Sequence, residues 1–167
     1  MTIYEKMQIV LDLAEKALLI GEMPIAAAVF HGDKIISSAY TSEKSDKRFL
    51  VHAEMNALLD ADKQMLPFNV RRELELFTNL EPCMMCLGAT VGSFVGSIYY
   101  SMNAPDGAVV FARKLVEENS YEKIASFYMP EVTGGIMVEE SKELWRKYLE
   151  CFPDAPLREY AKTLIEG

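Results

Sequence analysis

Two short segments carry residues whose types and spacing suit metal chemistry: His52-Ala53-Glu54 and Pro82-Cys83-Met84-Met85-Cys86. Cys83 and Cys86 stand three apart where a helix is expected to begin. That spacing sets both sulfurs on one face, one turn apart, within reach of a single ion. A helix N-terminus favours negative charge, which lowers thiolate pKa values and helps both cysteines ligate. His52, at the start of the preceding helix, offers a third ligand. Three protein ligands leave a tetrahedral Zn²⁺ one position short, the property of a catalytic site. A water held in that position ionises with a pKa near ~7 instead of ~16. Glu54 lies two residues beyond His52 and points away from the ligand direction. Its carboxylate can take the water's proton and pass it to a ring nitrogen and a leaving amine, a task for a group that is not itself bound to the metal. The expected chemistry is zinc-assisted hydrolysis, with one Zn²⁺ per chain.

Two other uses of the cysteines compete. A structural zinc site needs a fourth protein ligand, such as His31 or Cys151. His31 falls in a turn signal and Cys151 near a helix end, so both read as ordinary surface or half-buried residues. A redox Cys-x-x-Cys is the other, but Met84 and Met85 are unlike a thioredoxin-type pair, and His52 and Glu54 are left unexplained. Met84 and Met85 themselves read as core or pocket-wall fillers.

The elements that position these residues follow from periodicity. Met7, Val10, Leu11, Ala14 and Leu18 recur at helical spacing between acidic and polar residues, and Gly21 ends this first helix. Ile25–Phe30 and Lys34–Tyr40 read as strands joined by a turn at His31-Gly32-Asp33. Residues 41–48 read as a polar loop, with Lys44, Lys47 and Arg48 solvated. The second helix is expected from His52 to Gln64, and Arg71 and Arg72 mark a surface turn. Leu74–Thr78 reads as a buried strand, Pro82 as the opening residue of a third helix, and Gly96–Tyr100 as a fourth strand. Residues 103–115 read as a loop leading into a helix. Val132–Val138 is strand or turn, Ser141–Tyr148 is helical, and a short helix follows Pro156. Alternation of strands and helices predicts an α/β fold, a three-layer α-β-α sandwich around a five-stranded mixed sheet.

The bulk properties narrow the partners. A chain of 167 residues, 50% of them hydrophobic, suits a single domain spanning 1–167. Three cysteines, an odd count, point to a reducing compartment, and no apolar run reaches the length of a membrane span. A cytoplasmic protein with no membrane partner is expected. The net charge of -8 runs against a large nucleic-acid partner, which usually calls for a basic face.

The ordered pattern H-x-E…P-C-x-x-C is the signature of zinc deaminases acting on nucleobases. Through GEMPIAAAV, VHAEMNALL, NLEPCMMCLGA and SIYYSMNAPDG, the chain resembles the cytidine deaminase superfamily, most of all its bacterial tRNA adenosine deaminase and guanine deaminase branch. The resemblance runs to about Phe111, and the helical region from about residue 139 diverges. It implies His52, Cys83 and Cys86 as zinc ligands, Glu54 as proton shuttle, and a substrate hydrogen bond from the Ala53 backbone amide. Thr41 and Glu81 complete the candidate substrate-binding set, and a homodimer is implied. Thr41 stands where purine-acting relatives usually have Asn. Arg48-Phe49-Leu50-Val51 replaces their Asp-Pro-Thr-Ala, and Asn103 and Pro105 stand where the tRNA enzyme usually has Asp and Lys. With the acidic charge, these departures favour a small aminated heterocycle, whether base, nucleoside or related ring, over tRNA. A tRNA-specific adenosine deaminase is the alternative, and a non-catalytic zinc-stabilised interaction domain is the alternative of another class.

Overall fold

The computed structural model describes residues 1–109, 112 and 129–166. Helix α1, Ile3–Leu19, begins where the Thr2 hydroxyl accepts the Glu5 amide at 3.2 Å. It buries Met7, Val10, Leu11, Ala14 and Leu18, the stripe that the spacing predicts. Gly21 leaves the helix at φ +85°, a conformation that favours glycine.

Strands β1, Ala26–His31, and β2, Lys34–Tyr40, form an antiparallel hairpin with a bulge at Val29/Phe30. β3, Leu74–Leu80, pairs antiparallel with β1. β4, Ser97–Met102, and β5, Glu131–Thr133, continue the sheet in parallel. The order is β2-β1-β3-β4-β5, a five-stranded mixed sheet.

Successive β1 residues face opposite layers. Ala26, Ala28 and Phe30 join Met7, Val10 and Leu11 of α1, whereas Ala27 and Val29 pack with Ala53, Ala57, Leu87 and Val91. The second set belongs to α3, Ala53–Asp62, and α5, Met84–Gly92. Helix α1 covers one face and the two helices that open on His52 and Cys83 cover the other, giving the three layers expected. A strand buried on both faces needs the continuous apolar run seen in β1.

Several boundaries differ from the sequence reading. The polar loop contains a one-turn helix, α2, Glu43–Asp46. Its support is remote: the buried Glu22 carboxylate accepts the Lys44 and Ser45 amides at 3.2 and 2.6 Å. The turn at Arg71 is a short helix, α4, Phe68–Arg71. Pro82 does not open α5. Cys83 is its N-cap, and Met84 is its first helical residue. The Cys83 backbone stays extended because it bridges to Gly107, while the Pro82 carbonyl accepts the Ala108 amide at 3.0 Å. Gly134 and Gly135 separate β5 from helix α6, Val138–Cys151, which is longer than expected. Helix α7, Arg158–Glu166, ends the described chain. The helix expected to follow residue 107 lies largely outside the described residues. Among those described, no helix is long and apolar enough to cross a membrane.

Candidate active site

Two helix starts meet at the site. His52 is the N-cap of α3 and Cys83 the N-cap of α5, with Cys86 in the first turn of α5. The Cys83 and Cys86 sulfurs each lie 3.7 Å from His52 Nδ1. All three ligand atoms fall within 4.8 Å of one another. Tetrahedral zinc, with Zn–S of ~2.3 Å and Zn–N of ~2.0–2.1 Å, sets its sulfur and nitrogen ligands ~3.5–3.6 Å apart. The donor set therefore fits zinc with little rearrangement. Neither His31 nor Cys151 belongs to this group: His31 Nε2 pairs with Glu73 at 2.9 Å, and Cys151 is an exposed free cysteine. No fourth protein ligand arises among the described residues, and a closed structural site does not form there.

The electrostatics of the three residues suit a metal-ligand set. The Cys86 thiol and the His52 ring hold the Cys83 thiol down at about 3, against burial. Cys83 in turn raises His52 to about 9, again against burial. Cys86 moves up, through its neighbour Cys83 and through burial. Without metal, the site is thus a Cys83 thiolate beside a protonated His52 and a neutral Cys86. Ligation requires His52 and Cys86 to lose their protons, so zinc uptake at pH 7 is expected to release about two protons per ion. Zinc titration followed calorimetrically in buffers of different ionisation enthalpy measures that number, and uptake weakens as pH falls.

Glu54 is buried, with Oε2 3.5 Å from the Cys86 sulfur. The Thr78 hydroxyl donates to its Oε1 at 3.4 Å. Burial pushes the carboxyl above the usual glutamate range. A carboxyl tuned upward beside a metal site is suited to accept a proton.

A cavity of about 270 Å³ opens in front of these residues. Thr41, Ala53 and Glu81 all line it, as does His52. Thr41 is buried, and its hydroxyl lies 3.4 Å from Glu43 and 3.5 Å from the Val51 carbonyl. Glu81 is also buried, and its two oxygens accept the Ala104 and Val109 amides at 3.2 Å each. Glu81 thus holds the loop after β4 against the site. Gly107 is required there, because a Cβ would come within 2.2 Å of the Glu81 carboxyl. Met84 is exposed, which corrects its reading as a buried filler.

Sequence reasoning missed four contributors. Thr78 was read only as part of a strand. Glu43 was read as loop, yet its Oε1 lies 3.6 Å from His52 Nε2. Asp106 and Tyr160 also line the cavity, joined by a 2.9 Å hydrogen bond from the Tyr160 hydroxyl. Tyr160 belongs to α7, where no motif marks it. The acidic type of Glu43 and Asp106 near the motif segments was the one available signal.

Comparison with known proteins agrees with this geometry. Residues 2–102 match the family described as the cytidine and deoxycytidylate deaminase zinc-binding region. The chain is 31% identical over 138 residues to a tRNA-specific adenosine deaminase of Bacillus subtilis, covering 80% of this chain and 85% of that one. It is 29% identical over 148 residues to a tRNA-specific adenosine deaminase of Rickettsia bellii, covering 86% and 97%. Among solved structures, a guanine deaminase from Nitrosomonas europaea superposes with a TM-score of 0.70 at 25% identity, covering 90% of this chain and 86% of that one.

Proposed function

The chain belongs to the cytidine and deoxycytidylate deaminase zinc-binding family, and we propose that this zinc-dependent deaminase acts on a small aminated heterocycle, a nucleobase, nucleoside or related ring. The carrying observation is the buried Glu54 carboxyl, 3.5 Å from the Cys86 sulfur at the back of a small cavity. His52, Cys83 and Cys86 hold the ion in this reading. Zinc, when bound, supplies a water ionisable at neutral pH. Glu54 would move two protons in turn, one from the attacking water to the ring nitrogen as the C–O bond forms, and one from the added hydroxyl to the amine as the C–N bond breaks and ammonia leaves. Burial raises the affinity of Glu54 for a proton, which favours its acceptance from water. The Ala53 amide at the start of α3 donates to the substrate, Thr41 offers a hydroxyl from the wall, and Glu81 acts through the loop it holds. About 270 Å³ is at the small end of ligand cavities, which run ~300–1,000 Å³. That size suits one ring system.

The test is ammonia release by the zinc-loaded protein across purines, pyrimidines, their nucleosides, pterins and triazines. Release from at least one class is expected, and silence across the panel overturns the reading. A tRNA-editing role is a second reading, motivated by the likeness to tRNA-specific adenosine deaminases. The net charge of -8 and a cavity wall without lysine or arginine among the described residues favour the small ring. Inosine formation in a tRNA stem-loop, without release from free rings, reverses that order. We further propose a homodimer, supported by the exposed Phe49, Leu50, Leu59 and Met65. A monomeric mass by light scattering at micromolar concentration overturns it.

A further inference from the structure

We propose that Glu43 selects the substrate, and that this substrate is an unphosphorylated ring carrying a second amino group beside the one it loses. The inference rests on the deaminase reading and deepens it. Four carboxyl groups line the cavity, Glu43, Glu54, Glu81 and Asp106, and no lysine or arginine does so among the described residues. Three of the four have other duties. Glu54 lies against Cys86, Glu81 accepts two backbone amides, and Asp106 accepts the Tyr160 hydroxyl. Among the described residues, Glu43 is held by longer contacts, a hydrogen bond from the Thr41 hydroxyl at 3.4 Å and the His52 ring at 3.6 Å. Its side chain is 22% exposed, so the carboxylate reaches the cavity while partly shielded from bulk water.

The position of Glu43 is built into the fold. It is the first residue of α2, and the next two residues are pinned by the buried Glu22 carboxylate through their amides. Lys44, the nearest cation in sequence, is turned away, its ammonium donating to the Gly21 carbonyl at 3.0 Å and lying 5.3 Å from the Phe152 ring centre. Arg48 is exposed. A carboxylate held at a cavity wall accepts N–H donors and has nothing to offer an acceptor atom. A ring presenting an amino group to Glu43 gains a charge-assisted hydrogen bond, whereas its counterpart lacking that group leaves the carboxylate desolvated and unmatched. A phosphate entering beside the same acidic wall meets repulsion that no lysine or arginine among the described lining residues offsets.

The test is equilibrium binding by calorimetry to zinc-loaded Glu54→Gln protein, which holds a ring without consuming it. Adenine is compared with 2,6-diaminopurine, 4-aminopyrimidine with 2,4-diaminopyrimidine, and adenosine with its 5′-monophosphate. In at least one ring pair the diamino member is expected to bind about 10- to 100-fold more tightly. Adding Glu43→Gln should shrink that ratio to within about 3-fold, and Glu43→Asp should retain part of it. The monophosphate should bind at least about 10-fold more weakly than the nucleoside. No separation in either ring pair, a separation that survives Glu43→Gln, or a monophosphate bound as tightly as its nucleoside overturns the proposal. If Glu43 only buttresses His52, Glu43→Gln weakens both members of a pair equally and lowers zinc affinity, which also overturns it. Ammonia release by the wild-type protein is scored separately. Release without a diamino preference sinks this inference alone, whereas preference without release sinks the deaminase reading and, with it, the claim that the selected ring is a substrate.

Discussion

Glu54→Gln is expected to keep one zinc per chain and the fold, and to lose about 10²- to 10⁴-fold in ammonia release. The substitution preserves shape and removes only the capacity to carry a proton. Metal content, measured by atomic emission on the purified variant, separates this outcome from loss of the site. Full activity in the variant would remove Glu54 from the mechanism. A stability effect of known sign should accompany it. In the metal-free protein, burial raises the Glu54 pKa above its ordinary 4.5, so the native state holds that proton more tightly than the unfolded chain. The associated stability is full below about pH 4.5 and is lost as pH rises through the folded-state value. Glu54→Gln abolishes this slope, so at pH 7 the metal-free variant should unfold at the same or a higher urea concentration than the wild type.

Cys86→Ser is the second large effect, and it acts on the metal. Cys86 is buried between His52 and Glu54, and its neutral form must lose a proton to ligate. A serine hydroxyl there is a far poorer anion, so zinc content should fall from one per chain to near zero, with activity falling alongside. Binding of an ion to the native state alone contributes RT ln(1 + [L]/Kd), about 4 kcal/mol at a free concentration 1,000-fold above Kd. The variant should therefore show no zinc-dependent rise in Tm. Cys151→Ser is the internal control, because Cys151 is exposed and outside the ligand group. Unchanged zinc content in Cys86→Ser would show that the metal, if bound, is held elsewhere.

What could be read from the sequence was whatever is local. His52 and Glu54 are two apart and Cys83 and Cys86 three apart, and each pair sits at the start of one helix, so spacing alone encodes their geometry. Four of the five strands followed from apolar runs for the same reason, whereas β5, Glu131–Thr133, falls in a stretch that reads as strand or turn. The limits of α5 were misplaced because the bridge between Cys83 and Gly107 is a contact across chain segments, and it keeps Pro82 outside the helix. Thr78, Asp106 and Tyr160 reach the site through folding distances of 24 residues or more, as Thr78 does to Glu54 and Tyr160 to Asp106. No period in the sequence records such pairings. Glu43 is the clearest case: a polar residue in a polar run, made part of the site only because Glu22 organises the turn that follows it.

That turn also has a kinetic meaning. A four-residue helix has no stability of its own, since nucleation costs more than one turn of hydrogen bonds returns. Beyond its own Ser42–Asp46 bonds, helix α2 leans on Glu22 and on the Lys44 contacts to Gly21 and Phe152, and from Lys44 those partners lie 22 and 23 residues before and more than a hundred after. The segment carrying Glu43 is therefore expected to open at lower cost than the longer helices α3 and α5. Backbone amides of α2 should exchange with solvent ahead of those in α3 and α5 in hydrogen-exchange mass spectrometry, so the wall of the cavity and the metal ligands differ in local stability.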